Sequence, residues 1–236
     1  MIRVLLVVVL AAGAPSSDAP SRYLLSGDMP DLARILPQAP TPGSPRAIAD
    51  RAVFAATRKL KQTPRWALAT RDVSSDRFAA FACAIGGRID PTAAPALGRV
   101  LAQMGDPGMV ARAKASFAVP RPYLSTALPI CEAKSQHLAV NGDYPSGHAS
   151  SGWATALVLA ELMPARATEI LRRGRIYGES RYICGSHSLS AVEAGYMAGA
   201  VMVARLHASA AFRRDMDAAR VEVDRLLTAV PPGGCG

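Results

Sequence analysis

Apolar residues from Pro45 onward recur at spacings of three and four, and this period limits the fold class more than any other feature of the sequence. Ala and Leu dominate the stretch, β-branched runs are scarce, and neither an alternating strand pattern nor an internal repeat is visible. Apolar side chains at such spacings share one face of an α-helix. The pattern therefore predicts an all-α fold, a single-domain helical bundle over residues 45–236.

Several of the predicted helices have start signals. Ser44-Pro45 and Thr63-Pro64 each place a capping side chain before a proline at the first helical position. Two segments rich in Pro and Gly, 116–146 and 178–186, interrupt the pattern and are predicted to be loops. Sites tend to lie on loops held by a rigid scaffold, so we expect an active site in inter-helix loops and at helix N-termini. The predicted helices are 45–61, 64–71, 75–85, 91–104, 107–115, 147–162, 165–178, 188–206 and 209–229.

The N-terminal 44 residues have a different character. Residues 1–19 carry one positive charge, an apolar run and then small residues, which is typical of a signal peptide; the alternative is a buried N-terminal helix. Residues 20–44 form a Pro-rich arm that either lies extended on the domain or is partly disordered. No other segment looks able to cross a membrane, so the sequence predicts a periplasmic or secreted protein without a membrane partner.

Charge and cysteine content narrow the function classes. The net charge of +9 favours anionic partners, but there is no Lys/Arg run of five and aromatic residues make up only 6%, which argues against a nucleic-acid surface. The four cysteines allow three pairings, and an even number in an exported chain indicates disulfides. We favour Cys131–Cys184 together with Cys83–Cys235. A zinc or redox site is not expected, because no C-x-x-C pair is present.

Three segments carry residues suited to phosphate chemistry. Lys114 and Arg121-Pro122 supply a flexible ammonium and a planar guanidinium. Ser146, Gly147 and His148 begin a predicted helix, whose free N–H groups and positive dipole end favour an anion. Arg181 and His187 lie together in the third segment. Each segment alone has a structural reading: chance spacing, a helix cap with a satisfied histidine, or ordinary structural side chains.

Taken together, the segments resemble the signature of the type 2 phosphatidic acid phosphatase superfamily. That signature is K-x6-R-P, then P-S-G-H, then S-R-x5-H-x3-D, and the order and gaps agree. The chain is most similar to the bacterial class A non-specific acid phosphatases, over roughly residues 40–210. The matching positions are Lys114, Arg121-Pro122, Pro145-Ser146-Gly147-His148, Ser180-Arg181 and His187.

The resemblance implies an acid phosphatase that hydrolyses small phosphate monoesters without metal or other cofactor. His187 would attack phosphorus and form a phosphohistidine, while His148 would protonate the leaving group and then activate water. The phosphate would be held by Lys114, Arg121, Ser146, Gly147 and Arg181. Family members often associate, so a homo-oligomer is an open alternative. Of the other histidines, His137 either edges the site or lies on the surface, and His207 near a helix end is a charge partner of the helix C-terminus or has no special role.

One position departs from the signature. Its final Asp, which orients the nucleophilic histidine in the family, is Ala191 here. Candidates to replace that carboxylate are Glu193, Ser190 and Asp143, the last standing where the family usually has Ser. Three functions therefore remain open: an impaired but working phosphatase, a phosphate-binding relative that has lost turnover, and a vanadium-dependent haloperoxidase, which uses the same anion cage.

Overall fold

A computed structural model describes residues 22–90 and 92–227, and within these ranges the chain is helical and has no β-strand. The all-α prediction is confirmed. The signal peptide predicted at 1–19 lies outside the described residues. The helices are α1 (Leu32–Ile35), α2 (Pro45–Thr57), α3 (Pro64–Arg71), α4 (Arg77–Phe81), α5 (Pro95–Gln103), α6 (Met109–Phe117), α7 (Gln136–Val140), α8 (Gly147–Leu162), α9 (Ala167–Cys184), α10 (Leu189–Leu206) and α11 (Ala210–Leu227).

Helix starts follow the capping chemistry of the sequence. Ser44 accepts a hydrogen bond from the amide of Ala47, and Thr63 accepts one from Trp66, so both predicted caps are confirmed. Each of these side chains satisfies an amide that has no partner within the helix. Residues 58–60 continue α2 as a 3-10 turn, which accounts for the longer helix predicted there.

Helix α8 is the centre of the bundle and packs between α9 and α10. Its buried residues are mostly small, so its neighbours approach closely. A Cβ atom at Gly195 of α10 would lie 2.7 Å from the Ser146 carbonyl oxygen, and one at Gly199 would lie 2.5 Å from that of Ser150. Glycine is thus required for α10 to contact the α8 backbone, which aligns the N-terminal ends of the two helices.

Helix α9 is longer than predicted. The sequence suggested an end at Gly178 and a loop over 178–186, but the helix continues to Cys184 and ends at Gly185, whose φ of 88° is left-handed. Gly178 stays helical because its missing side chain admits the ring of Tyr196, which a Cβ atom would approach to 2.3 Å. Arg181 consequently lies on the last turn of a helix rather than in a loop.

The Pro-rich arm lies against the bundle. Tyr23, Leu24, Met29, Leu32 and Leu36 are buried in the main apolar core. The Tyr23 hydroxyl donates to the Asp215 carboxylate of α11. The arm therefore covers part of the core.

One cysteine pairing predicted from the sequence is confirmed. Cys131 and Cys184 form a disulfide that ties the loop before α7 to the C-terminal end of α9. The second predicted bridge involves Cys235, which lies outside the described residues.

By length and composition alone, helix Leu189–Leu206 could cross a membrane. Half of that segment is buried inside the bundle, and the core helix of a globular protein meets the same criterion.

Candidate active site

A cleft of about 470 Å³ brings together residues from all three sequence segments. It is lined by the first turns of α8, the last turn of α9 and the part of α6 that carries Val110, Ala111 and Lys114. The predicted site residues on its wall are Lys114, Arg121, Gly147, His148, Arg181 and His187. Positions up to 73 residues apart in the sequence thus share one surface.

The hydrogen bonds of His187 fix its tautomer. Nδ1 lies 2.8 Å from the main-chain oxygen of Asp143, which only accepts, and 2.9 Å from its carboxylate Oδ1, which accepts in the ionised form. Nε2 lies 3.0 Å from a guanidinium nitrogen of Arg121, which only donates. The proton of a neutral imidazole therefore resides on Nδ1, and Nε2 carries the lone pair, which accepts from Arg121.

The surroundings of His187 also favour its neutral form. The ring is buried, and burial together with the nearby charges of Arg121, Lys114 and Arg181 places the pKa of His187 well below its ordinary value. A neutral imidazole with its lone pair on Nε2, in a cleft lined by cations, is suited to nucleophilic attack on an anionic ester.

Asp143 belongs to the loop that precedes α8. Its amide donates to the Val119 carbonyl at 2.8 Å, while its carboxylate accepts from the Ser188 amide at 3.1 Å and the Ser188 hydroxyl at 2.6 Å. Burial raises the pKa of Asp143 to about 6, although the hydrogen bonds from Ser188 and the charge of Arg121 act in the opposite direction. Among the three candidates that the sequence offered, this is the carboxylate that reaches His187.

His148 is held by a hydrogen bond from Nε2 and by stacking on an aromatic ring. Its Nε2 lies 3.0 Å from the carbonyl oxygen of Val73, so Nε2 donates there and Nδ1 is left for the cleft. The ring stacks on Tyr177 with centroids 6.0 Å apart. Burial and the charge of Arg181 lower the pKa of His148 to about 4, so its protonated form prevails only in acid or beside a bound anion.

Two buried arginines leave donors unused. Arg121 donates to the Ser186 carbonyl at 2.7 Å, and Arg181 pairs with the Glu132 carboxylate at 2.5 Å. Both side chains are almost fully buried, yet Nε of Arg121 and both Nε and one terminal nitrogen of Arg181 have no hydrogen-bond partner. Buried donors of this kind are costly unless a ligand accepts from them, so they indicate an anion site.

Lys114 adds a third cation at the rim. Its ammonium donates to the Asn141 carbonyl, the Asn141 side-chain oxygen and the Gly142 carbonyl, at 2.8–3.0 Å. Burial and the charge of Arg121 lower the pKa of Lys114 to about 7. An anion bound nearby would favour the charged ammonium and raise that pKa.

Gly147 and Ser146 differ in how they stand toward the cleft. A Cβ atom at Gly147 would meet only Val110, at an ordinary 3.6 Å, so packing does not require this glycine, and the backbone at the start of α8 is left uncovered by a side chain. Ser146 is fully buried, caps α8 through the Ala149 amide and is not among the described residues that line the cleft. Its contact with phosphate stays a prediction.

Sequence reasoning missed Glu132 and did not anticipate the role of Ser180. The Glu132 carboxylate accepts from Arg181 and from the Ser186 hydroxyl, and its position beside Cys131 was the available signal. Ser180, which the signature contains, donates to the buried Asp72 at 2.6 Å and so joins α9 to the end of α3. It therefore supports the scaffold without lining the cleft.

The remaining histidines separate clearly. His137 of α7 lines the cleft, whereas His207 is half-buried and pairs with Glu161 at the surface. Across the described ranges, no group of three or more His, Cys, Asp or Glu side chains is arranged to hold a metal ion.

Comparison with known proteins agrees with this geometry. The family model described as "PAP2 superfamily" matches residues 96–215, a segment that contains every predicted site residue. The chain belongs to the PAP2 superfamily. An acid phosphatase of Zymomonas mobilis is 42% identical over 196 residues, which cover 80% of this chain and 74% of that protein.

Two further relatives of this PAP2 chain are named non-specific acid phosphatases. The one from Providencia stuartii is 34% identical over 229 residues, covering 92% of both chains. The one from Salmonella typhimurium is 36% identical over 196 residues, covering 80% of this chain and 78% of its own. The likeness to non-specific acid phosphatases thus extends well beyond the PAP2 signature.

Proposed function

We propose that this PAP2 protein is a phosphoric monoester hydrolase that works by two displacements at phosphorus. The main support is that Arg121 and Arg181, each with buried N–H donors that have no partner, line the same cleft as His187. Relatives named acid phosphatases over most of the chain support the same reaction class.

In the first displacement, Nε2 of His187 attacks phosphorus and the ester P–O bond breaks. The Arg121 N–H that contacts Nε2 turns to a phosphoryl oxygen, and the free donors of Arg181 and the amides at the start of α8 take the others. Such fixed donors stabilise the charge that spreads over these oxygens in the transition state. The leaving oxygen takes a proton from Nδ1 of His148.

In the second displacement, water attacks the phosphohistidine and the P–N bond breaks. Neutral His148 now accepts a proton from that water, and orthophosphate leaves with His187 again neutral. His148 thus serves first as an acid and then as a base, because water in the second displacement takes the place of the alcohol that left in the first. The cycle conserves protons and needs no redox partner.

The environment of His148 favours activity in acid. Since its pKa lies near 4, the protonated form that the first step needs becomes scarce as the pH rises. A bound phosphate ester shifts that pKa upward and extends the active range. We therefore propose an acidic optimum for esters with poor leaving groups, which depend most on protonation.

We further propose that the protein acts outside the cytoplasm on small phosphate monoesters. The Cys131–Cys184 disulfide supports an oxidising compartment, and the signal-like residues 1–19 supply a route. The size of the cleft suits a phosphate and a small organic group. Fractionation of expressing cells and N-terminal sequencing of the product test export; an intact N-terminus in the cytosol would contradict it.

The first test is hydrolysis of p-nitrophenyl phosphate in EDTA from acid to neutral pH. Wild type should turn over, and His187→Ala should lose at least about 10³-fold in kcat/KM, because removal of a nucleophile leaves only binding and electrostatics. His207→Ala is the matched control: this histidine pairs with Glu161 outside the cleft, so its loss should leave the rate unchanged. Wild-type inactivity, or full activity of His187→Ala, would overturn the proposal.

A second comparison isolates the acid role of His148. His148→Asn should slow hydrolysis of an alkyl phosphate far more than that of p-nitrophenyl phosphate, because p-nitrophenolate leaves without protonation. Equal losses for the two esters would mean that His148 binds substrate and does not transfer a proton.

A further inference from the structure

The nucleophilic histidine proposed above has a carboxylate behind it, although the signature position for that carboxylate is alanine. Ala191 is fully buried in the apolar core. Its amide donates to the Ser188 hydroxyl, and its carbonyl accepts from the Ser146 amide. Asp143, 2% exposed, instead brings Oδ1 to 2.9 Å from Nδ1 of His187.

The other two sequence candidates are engaged elsewhere. Glu193 is about half exposed and pairs with Arg46 of α2. The Ser190 hydroxyl accepts from the same guanidinium at 2.9 Å, and its amide donates to Asp50. These contacts hold the start of α10 against α2, so neither residue is available to His187.

We propose that Asp143, from the loop before α8, is the positioning carboxylate of His187 and replaces the one that the signature places on α10. The inference rests on the proposed nucleophilic role of His187. It assigns Asp143 two effects: Oδ1 holds the ring through its Nδ1–H, and the negative charge stabilises the cationic imidazole that forms as Nε2 bonds phosphorus.

The carboxylate is itself held in place, as a positioning group must be. Ser188 donates its amide to Oδ1 and its hydroxyl to Oδ2, and the Asp143 amide is anchored on Val119. Rotation of the carboxylate away from His187 would break both bonds to Ser188. The acceptor therefore stays aligned while the ring acts.

The main-chain oxygen of Asp143 makes a competing account possible. It also lies 2.8 Å from Nδ1 and can fix the tautomer without any side chain. In that account the carboxylate only tethers Ser188 and the start of α10. The two accounts differ in one respect, since a neutral carbonyl does not stabilise a developing positive charge as a carboxylate does.

Asp143→Asn separates them, because asparagine keeps the shape and removes the charge. We expect kcat to fall by about 10²- to 10⁴-fold, by analogy with loss of the orienting carboxylate of a serine protease. The inhibition constant of orthophosphate should stay the same or decrease, because the arginine donors remain and a nearby negative charge is gone. A purely structural role would leave kcat within about threefold once the folded fraction is taken into account, and that result would overturn the proposal.

Two control variants test the hydrogen bond from Ser188 and the start of α10. Ser188→Ala removes the hydroxyl bond to Oδ2 but leaves the Oδ1 contact, so it should cost much less than Asp143→Asn. Glu193→Gln, on the same end of α10, should leave kcat unchanged. If Ser188→Ala matched Asp143→Asn, the tether account would be correct.

A spectroscopic readout does not depend on turnover. In ¹⁵N-labelled protein, the Nδ1 proton of His187 should resonate far downfield, disappear in His187→Ala and move upfield in Asp143→Asn. An unchanged resonance in Asp143→Asn would overturn the positioning role even if the protein had no activity. Conversely, an active His187→Ala variant would overturn the proposed function. The contact between Asp143 and His187 would then be tested by the resonance alone.

An exchange variant keeps the proposal falsifiable if Asp143→Asn does not fold. Asp143→Ser with Ala191→Asp moves the carboxylate to the signature position and should exceed Asp143→Ser alone by at least tenfold in kcat. Ala191→Asp alone should not accelerate the enzyme, because His187 already has a carboxylate at Nδ1. A clear acceleration by Ala191→Asp alone would show that Asp143 does not fill the role.

Discussion

Close packing of α10 on α8 sets the distance between His148 and His187. Glycine-to-alanine substitutions, each of which adds one methyl group to this interface, test that statement. A Cβ atom at Gly195 would lie 2.7 Å from both the Ser146 carbonyl oxygen and the Ala149 Cβ atom. Ordinary contact begins near 3.4 Å, so Gly195→Ala must part the helices by about 0.7 Å at the first turn of α8. His148 lies on that turn, and His187 lies just before α10.

Gly199→Ala provides the matched comparison one turn farther along α10. There a Cβ atom would lie 2.5 Å from the Ser150 carbonyl oxygen, a slightly larger overlap. Overpacking costs about 1–3 kcal/mol, and the better helix propensity of alanine offsets about 1 kcal/mol of this. The net cost is about 0–2 kcal/mol, so both variants should melt at or up to about 8 °C below wild type.

Their activities should differ. A displacement near 1 Å at the reacting groups can cost about 10²-fold in rate, so Gly195→Ala should lose about that factor in kcat for p-nitrophenyl phosphate. Gly199→Ala should lose less than tenfold at equal folded fraction. Gly27→Ala, where a Cβ atom meets nothing within 4 Å, should match wild type in both assays. If Gly195→Ala melted lower but kept full kcat, this packing would not position the histidines.

Three further predictions concern charge and covalent structure. Because the pKa of Lys114 is about 7, phosphate binding at pH 7.5 should take up protons; calorimetry in buffers of different ionisation enthalpy should show this in wild type and not in Lys114→Met. The pKa of His148 is depressed to about 4, and this depression contributes about 3 kcal/mol of stability above pH 6.5. That stability is lost as the pH falls through 4. In His148→Asn the melting temperature should therefore fall less steeply in acid than in wild type. Replacing Cys131 and Cys184 by alanine opens a loop of sequence separation 53 and should cost about 4 kcal/mol in denaturant unfolding; a change below 1 kcal/mol would contradict the loop-entropy reasoning.

Local chemistry explains why much of the helical framework could be predicted. Helices α3 and α8 follow the predicted ranges because a side-chain cap precedes each one and a change in pattern follows it. The end of α9 could not be predicted in this way. Gly178 resembles a helix end in sequence, and only the ring of Tyr196, packed from α10, makes a helical glycine favourable there.

The candidate site shows the same division. The resemblance to the phosphatidic acid phosphatase signature predicted Lys114, Arg121, His148, Arg181 and His187, and the fold brings them to one cleft. The contact between Asp143 and His187 spans 44 positions of sequence and depends on how the loop before α8 lies across the start of α10. Spacing along the chain gives no ranking among Asp143, Ser190 and Glu193, whereas three-dimensional contacts do.

Isolation of the phosphoenzyme is a direct test of the two displacements at His187. Wild type mixed with a phosphate ester in EDTA, quenched in alkali within milliseconds and digested, should yield a peptide with phosphate on His187, and His187→Ala should yield none. Alkali is required because phosphohistidine is labile in acid. A wild-type enzyme that turns over with a burst of alcohol but carries its phosphate on another residue, or turns over with inversion of configuration at phosphorus, would contradict the two-displacement mechanism at His187.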